Sequence, residues 1–275
     1  MWLAALSGCA SLESKKPVPA SVSDFSACCS NPERRPEWLV DLARPVAKPL
    51  GLTLAQFVWR KGHLFDQPEA RAFVRKNLRP LDIMMVSSKG RLTGHTIPGL
   101  FGHAVIYLGS ERELRSAGVW NDPAYAPHRK AIAGGKHFIE ADWEGVHLSD
   151  ENRVMNTDRI VILRPRVSRA ARKAKALRDY SSSVGMPFDF RFDLDTPECT
   201  FCTELVRAVL PEINLPVTHV YGNHVVIPEA VIKAAHEGSA RLEIITYVAG
   251  TKTGWEKRDR KQLAADIAAA WAKPK

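Results

Sequence analysis

Gly102-His103-Ala104-Val105-Ile106-Tyr107-Leu108-Gly109 places a single histidine on a run that reads as a β-strand. Alternation sets Phe101, His103, Val105 and Tyr107 on one side and Ala104, Ile106 and Leu108 on the other. Both sides are largely apolar, which predicts a central strand. An imidazole in such a strand is costly unless it is hydrogen-bonded. Working outward, residues 81–87 read as a buried strand that stops at the turn formers Ser88-Lys89-Gly90, and Ile97-Pro98-Gly99 breaks the chain again before the histidine. Residues 137–142, 159–164 and 241–248 read as further strands, and residues 168–182, 200–210 and 258–272 as helices. Strands clustered in the middle, with helices on either side, predict an α+β fold with a mainly antiparallel sheet.

The second informative segment is Glu198-Cys199-Thr200-Phe201-Cys202-Thr203-Glu204-Leu205-Val206. Cys202, Leu205, Val206 and Val209 recur at helical spacing, so Cys202 faces whatever the helix packs on. If Thr200 is the N-cap, the thiol lies in the first turn, where unpaired N–H groups and the helix dipole favour thiolate. A competing start at Thr196-Pro197-Glu198 would move it to the second turn. A thiol and an imidazole able to deprotonate it make a cysteine nucleophile. On their own, both residues also suit a plain core. Cys199-Thr200-Phe201-Cys202 has the spacing of a redox pair, yet the βαβ framework expected upstream is missing.

Taken together, the segments resemble the permuted papain-like amidases of the YaeF/YiiX family, relatives of NlpC/P60 and lecithin retinol acyltransferase-like proteins. The resemblance runs over roughly residues 80–210. It rests on Leu81-Asp82-Ile83, Gly102-His103-Ala104-Val105-Ile106-Tyr107, Phe138-Ile139-Glu140-Ala141, Pro187-Phe188-Asp189-Phe190 and Cys202-Thr203-Glu204-Leu205-Val206. Histidine, acid and cysteine follow one another in the reverse of papain's order, in which cysteine comes first. The resemblance implies a permuted papain-like (NlpC/P60-type) fold with the nucleophile at the start of a packed helix. It implies Cys202 as nucleophile, His103 as general base and Glu140 as the group that orients the imidazole. Asp142, on the same strand face as Glu140, is the rival acid, with His147 after it. The implied activity is a thiol amidase or peptidase, with a lipid-directed acyltransferase or hydrolase as the alternative.

Substrate-contact candidates lie beside these motifs. Phe188-Asp189-Phe190-Arg191-Phe192-Asp193 alternates aromatic and charged residues, reading either as a cleft lining with Asp189 or Asp193 on a polar group, or as an amphipathic strand. Ile97-Pro98-Gly99-Leu100-Phe101 is an apolar loop expected to wall the site, with Phe101 next to the histidine segment.

Composition sets the outer bounds. The 275 residues are 45% hydrophobic and 25% charged, ordinary for a globular chain. The net charge of +9 is scattered apart from residues 164–178 and 257–261 and is not interleaved with aromatics, so no nucleic-acid partner is expected. The best apolar stretch, residues 38–59, is broken by Asp41, Arg44, Lys48 and two prolines and cannot span a bilayer. Leu6-Ser7-Gly8-Cys9 resembles a lipoprotein lipobox, which predicts lipidation of Cys9 and an anchored protein on the periplasmic side of the cell envelope. On this reading residues 1–8 are part of a signal peptide and residues 9–36 a tether. Residues 37–79 form a helical extension and residues 80–275 the catalytic domain. Peptide or acyl-amide substrates are expected. Cys28-Cys29 sits in the tether without an evident partner. The cysteines lack a second pair at ligand spacing, so neither metal nor cofactor is expected.

Overall fold

The computed structural model describes residues 42–272, with residues 25, 28, 29, 32, 33 and 40 ahead of them. Cys9 and the expected signal segment lie outside the described residues. Cys28 and Cys29, left without a partner by the sequence reading, are disulfide-bonded to each other.

The main element is a seven-stranded sheet of β1 (Ile83–Ser87), β2 (His103–Tyr107), β3 (Phe138–Asp142), β4 (Gly145–Ser149), β5 (Arg159–Pro165), β8 (Leu242–Gly250) and β9 (Trp255–Arg258), in the order β4-β3-β2-β1-β5-β8-β9. Every pairing in it is antiparallel. A short hairpin, β6 (Thr218–Val220) with β7 (Asn223–Val225), stands apart. The sheet confirms the α+β, mainly antiparallel expectation.

Alternation along β1 sends Ile83 and Met85 into one core and Met84 and Val86 into the other. β2 divides likewise, Ala104 and Ile106 against Val105 and Tyr107. Each such aliphatic side chain contributes about 1.5–3 kcal/mol when removed from water. The first core takes the helices Ala170–Ser182 and Cys202–Val209 through Leu177, Leu205 and Val206. The second takes Pro68–Asn77 through Ala70 and Val74.

Two departures from the sequence reading have local causes. The first strand starts at Ile83 rather than residue 81, because Leu81 adopts φ 77° and turns the chain. Buried Asp82 secures that turn by accepting from Arg79 N–H at 2.8 Å and from Arg164 Nε and Nη2, at 2.8 and 2.6 Å. The hairpin into β4 was not foreseen. It depends on Gly145, which has φ +89° and whose absent Cβ would lie 2.6 Å from the Met186 carbonyl.

Candidate active site

His103 opens β2, and in the sheet its Cα partner is Val86 near the end of β1. Glu140 pairs with Val105 on the neighbouring strand, which puts it diagonal to His103 on one sheet face. Its carboxylate meets His103 Nε2 at 2.8 Å through Oε2. The Cys202 thiol lies close enough to His103 to favour its charged form.

The cysteine helix begins at Cys202, with Phe201 in extended backbone as its N-cap. The helix starts one residue later than an N-cap at Thr200 would set it, which keeps Cys202 in the first turn, and five residues later than a cap at Thr196 would set it. Cys202 is the first helical residue, where backbone N–H groups have no partner in their own helix. Glu204 closes this end by accepting from Phe201 N–H at 3.2 Å. Burial is the main reason that the Glu204 carboxyl is pushed up to about 7.

Three segments distant in sequence thus bring thiol, imidazole and carboxylate together. Cys202 and Glu140 are almost fully enclosed, at 5% and 4% exposure. The His103 side chain keeps 27% of its surface open, so the middle of the chain can be approached. Burial opposes charging of His103, but the hydrogen bonds and charges of Cys202 and Glu140 prevail and hold it well above the ordinary imidazole value. Burial would raise Glu140, but the His103 hydrogen bond and charge, with help from Ser149, bring it below the ordinary carboxyl value.

Glu140 is itself held from behind. Ser149 Oγ donates to Oε1, and Arg153 Nε lies 3.3 Å from the same oxygen. The rival acid, Asp142, points to other partners: His147 Nε2 at 3.1 Å and Arg153 Nη2 at 2.6 Å. His147 joins the network through Ser149 Oγ, 3.2 Å from its Nδ1. Ser149 and Arg153 were missed from sequence because they belong to β4 and the short helix Glu151–Val154 after it, and only pairing of β3 with β4 brings them to Glu140.

Glu140, Asp142 and His147 offer possible metal-ligand atoms within 4.8 Å of one another. The Arg153 guanidinium already lies among these groups and also meets Glu144 at 2.5 Å, so a cation's place is taken by a side chain.

The two expected substrate contacts lie below the surface. Phe101 is fully buried and packs edge-on against Tyr247, so it belongs to the core and not to a cleft wall. Asp189 is 3% exposed, and its oxygens accept from the N–H groups of Arg191 at 2.7 Å and Asp193 at 2.6 Å, so it shapes its own loop. The alternating stretch around it is not a strand. Phe188 packs edge-on against both Phe190 and Phe192, and Phe192 meets Phe201 beside the cysteine. Cys199 and Cys202 are both free thiols, and Cys199 Sγ lies 3.6 Å from Thr196 Oγ1.

The loop that delivers His103 has an anchor that the sequence did not reveal. Glu229, fully buried in the helix Pro228–Glu237, accepts from Leu100 N–H at 2.6 Å and Phe101 N–H at 2.9 Å, and from Trp271 Nε1. Gly99, at φ +94°, passes so close that a Cβ would collide with this carboxylate.

Comparison with known proteins agrees with this geometry. The model of the permuted papain-like amidases, YaeF/YiiX, C92 family, matches residues 77–248, a span that includes the thiol, the imidazole, the carboxylate, five of the seven strands of the sheet and most of β8. Neither the curated proteins nor the solved structures compared with the chain give a match. With well over half of its length matched, the chain belongs to the permuted papain-like amidases of the YaeF/YiiX, C92 family.

Proposed function

We propose that the chain is a thiol amidase or peptidase that works by acyl transfer through a thioester on Cys202, with His103 as general base and Glu140 as the group that orients it. The 2.8 Å hydrogen bond between His103 Nε2 and Glu140 Oε2 carries this reading, with the Cys202 thiol near enough to favour imidazolium. Glu140 sets the ring's tautomer and stabilises imidazolium, so the ring can take the thiol proton. The thiolate then adds to the amide carbonyl carbon, and negative charge collects on the carbonyl oxygen. The unpaired N–H at the start of the cysteine helix is placed to stabilise that charge.

Collapse of this adduct breaks the C–N bond. His103 gives its proton to the departing amine, leaving the acyl group on sulfur. Water, deprotonated by the same ring, attacks the thioester, and the carboxylic acid leaves as the thiol is restored. Cell-envelope amides such as peptidoglycan peptides are the proposed substrates, on an enzyme anchored through lipidated Cys9.

The test is the pH dependence of Cys202 alkylation in a Cys199→Ala background, with and without His103→Ala. The expected result is a thiolate that titrates well below the free-thiol value of ~8.5 and moves up when the imidazole is removed. An ordinary thiol indifferent to His103 would refute the pairing and the activity built on it.

A further inference from the structure

Among the described residues, six of the eight most exposed large hydrophobic side chains fall between positions 42 and 59. They are Leu42, Val46, Leu50, Phe57, Val58 and Trp59, each 42–69% exposed. The first three recur every four residues through the turn Arg44–Val46 and the helix Ala47–Ala55, making one stripe. That helix buries none of its residues, whereas the similar-sized Pro68–Asn77 buries Ala70 and Val74. The stripe is therefore left over after the core is built.

The other three side chains extend the face to the loop between β1 and β2. Leu92 N–H donates to the Phe57 carbonyl at 2.9 Å, Trp59 N–H to that of Gly90 at 3.1 Å, and the Trp59 ring lies 5.6 Å from that of His95. This loop ends at His103, so the apolar face and the site share one connection.

We infer that this face docks on an anionic lipid bilayer. Two observations choose that occupant. Residues 42–65 contain no Asp or Glu but carry Arg44, Lys48, Arg60 and Lys61. Arg60 pairs with Asp158, Lys61 lies 3.9 Å from Asp66 and Arg44 is bonded to the Tyr221 carbonyl, while Lys48 is exposed at the surface. Aliphatic side chains and Lys48 on a short helical segment, with aromatics in the loop that follows it, match the interface between lipid headgroups and acyl chains. The face also begins where the proposed tether from Cys9 would deliver the chain. No helix among the described residues is long and apolar enough to cross a membrane, so the segment lies along the surface. Amides displayed at that surface would then be held beside His103.

The experiment uses the full chain with Cys9→Ser, so that no acyl chain contributes. It is sedimented with vesicles of equal parts phosphatidylethanolamine and phosphatidylglycerol, and with phosphatidylcholine vesicles. Expected are binding to the anionic vesicles that weakens with salt and a loss of about tenfold or more in partitioning for the triple variant Val46→Gln, Leu50→Gln, Trp59→Gln. Circular dichroism establishes that the triple variant is folded. Cys202→Ala should bind as tightly as the parent, which separates this inference from the proposed catalysis. Failure of the parent to bind anionic vesicles would overturn the proposal, as would unchanged binding by the triple variant. Concentration-dependent dimerisation without vesicle binding would also overturn it and assign the face to a second copy.

Discussion

Replacing Glu229 by glutamine tests whether the loop carrying His103 is held by one buried carboxylate. Oε1 accepts both backbone N–H groups, of Leu100 and Phe101, and Oε2 accepts from Trp271 Nε1. A glutamine can keep its carbonyl on the backbone pair, but its NH₂ then faces the indole N–H, donor against donor. One buried unsatisfied donor costs about 1–3 kcal/mol. Trp271→Phe removes the opposing donor at the separate cost of lost ring volume and a partner for Oε2. In the double variant the donor conflict is gone, so its cost should fall short of the sum of the single changes by about 1–2 kcal/mol. Burial pushes Glu229 up despite its hydrogen bonds, so the cycle is best run at alkaline pH, with the carboxylate ionised. Urea denaturation of the four proteins gives the coupling. Additivity within about 0.5 kcal/mol would refute the reasoning. Glu229→Ala, which strands all three donors, two of them within three residues of His103, should lower kcat as well as stability.

Two further outcomes separate the site's carboxyls. Glu140→Gln should reduce kcat by about 10²–10⁴ with KM little changed, because the ring loses its orienting charge. Asp142→Asn should cost far less because Asp142 does not bond His103, and steady-state kinetics on an amide substrate that showed the reverse would make Asp142 the third member. Glu204→Gln keeps an acceptor for Phe201 N–H but cannot ionise. The wild-type carboxyl is raised to about 7, so its contribution to stability is present below the unfolded value of about 4.5 and lost as pH rises through about 7. The Glu204→Gln protein should therefore gain in Tm relative to wild type across that window, and parallel Tm curves would contradict the buried-carboxyl account.

The strands at residues 81–87, 102–109, 137–142 and 159–164 were legible because each is a compact apolar run bounded by turn formers, a purely local signal. The inward face of the cysteine helix was legible for the same reason, through the spacing of Cys202, Leu205, Val206 and Val209. β4 was not, since Gly-Val-His-Leu-Ser is short and half polar, and its pairing depends on a glycine turn.

The sequence placed a histidine and two candidate acids on strands and a cysteine near the start of a helix, and a family resemblance supplied their permuted order. Choosing between Glu140 and Asp142 lay beyond it. Both lie on one strand face, and the choice depends on which carboxylate is diagonal to His103 and which is drawn away by His147 and Arg153. Phe101 and Asp189 looked like site residues by proximity in the chain, but burial in the core and backbone hydrogen bonds use them elsewhere. Glu229 could not be found from sequence at all, because its partners are backbone amides more than a hundred residues away. Local patterns report where a side chain faces; only the folded chain decides which groups meet, because those contacts are set by strand register and packing between distant segments.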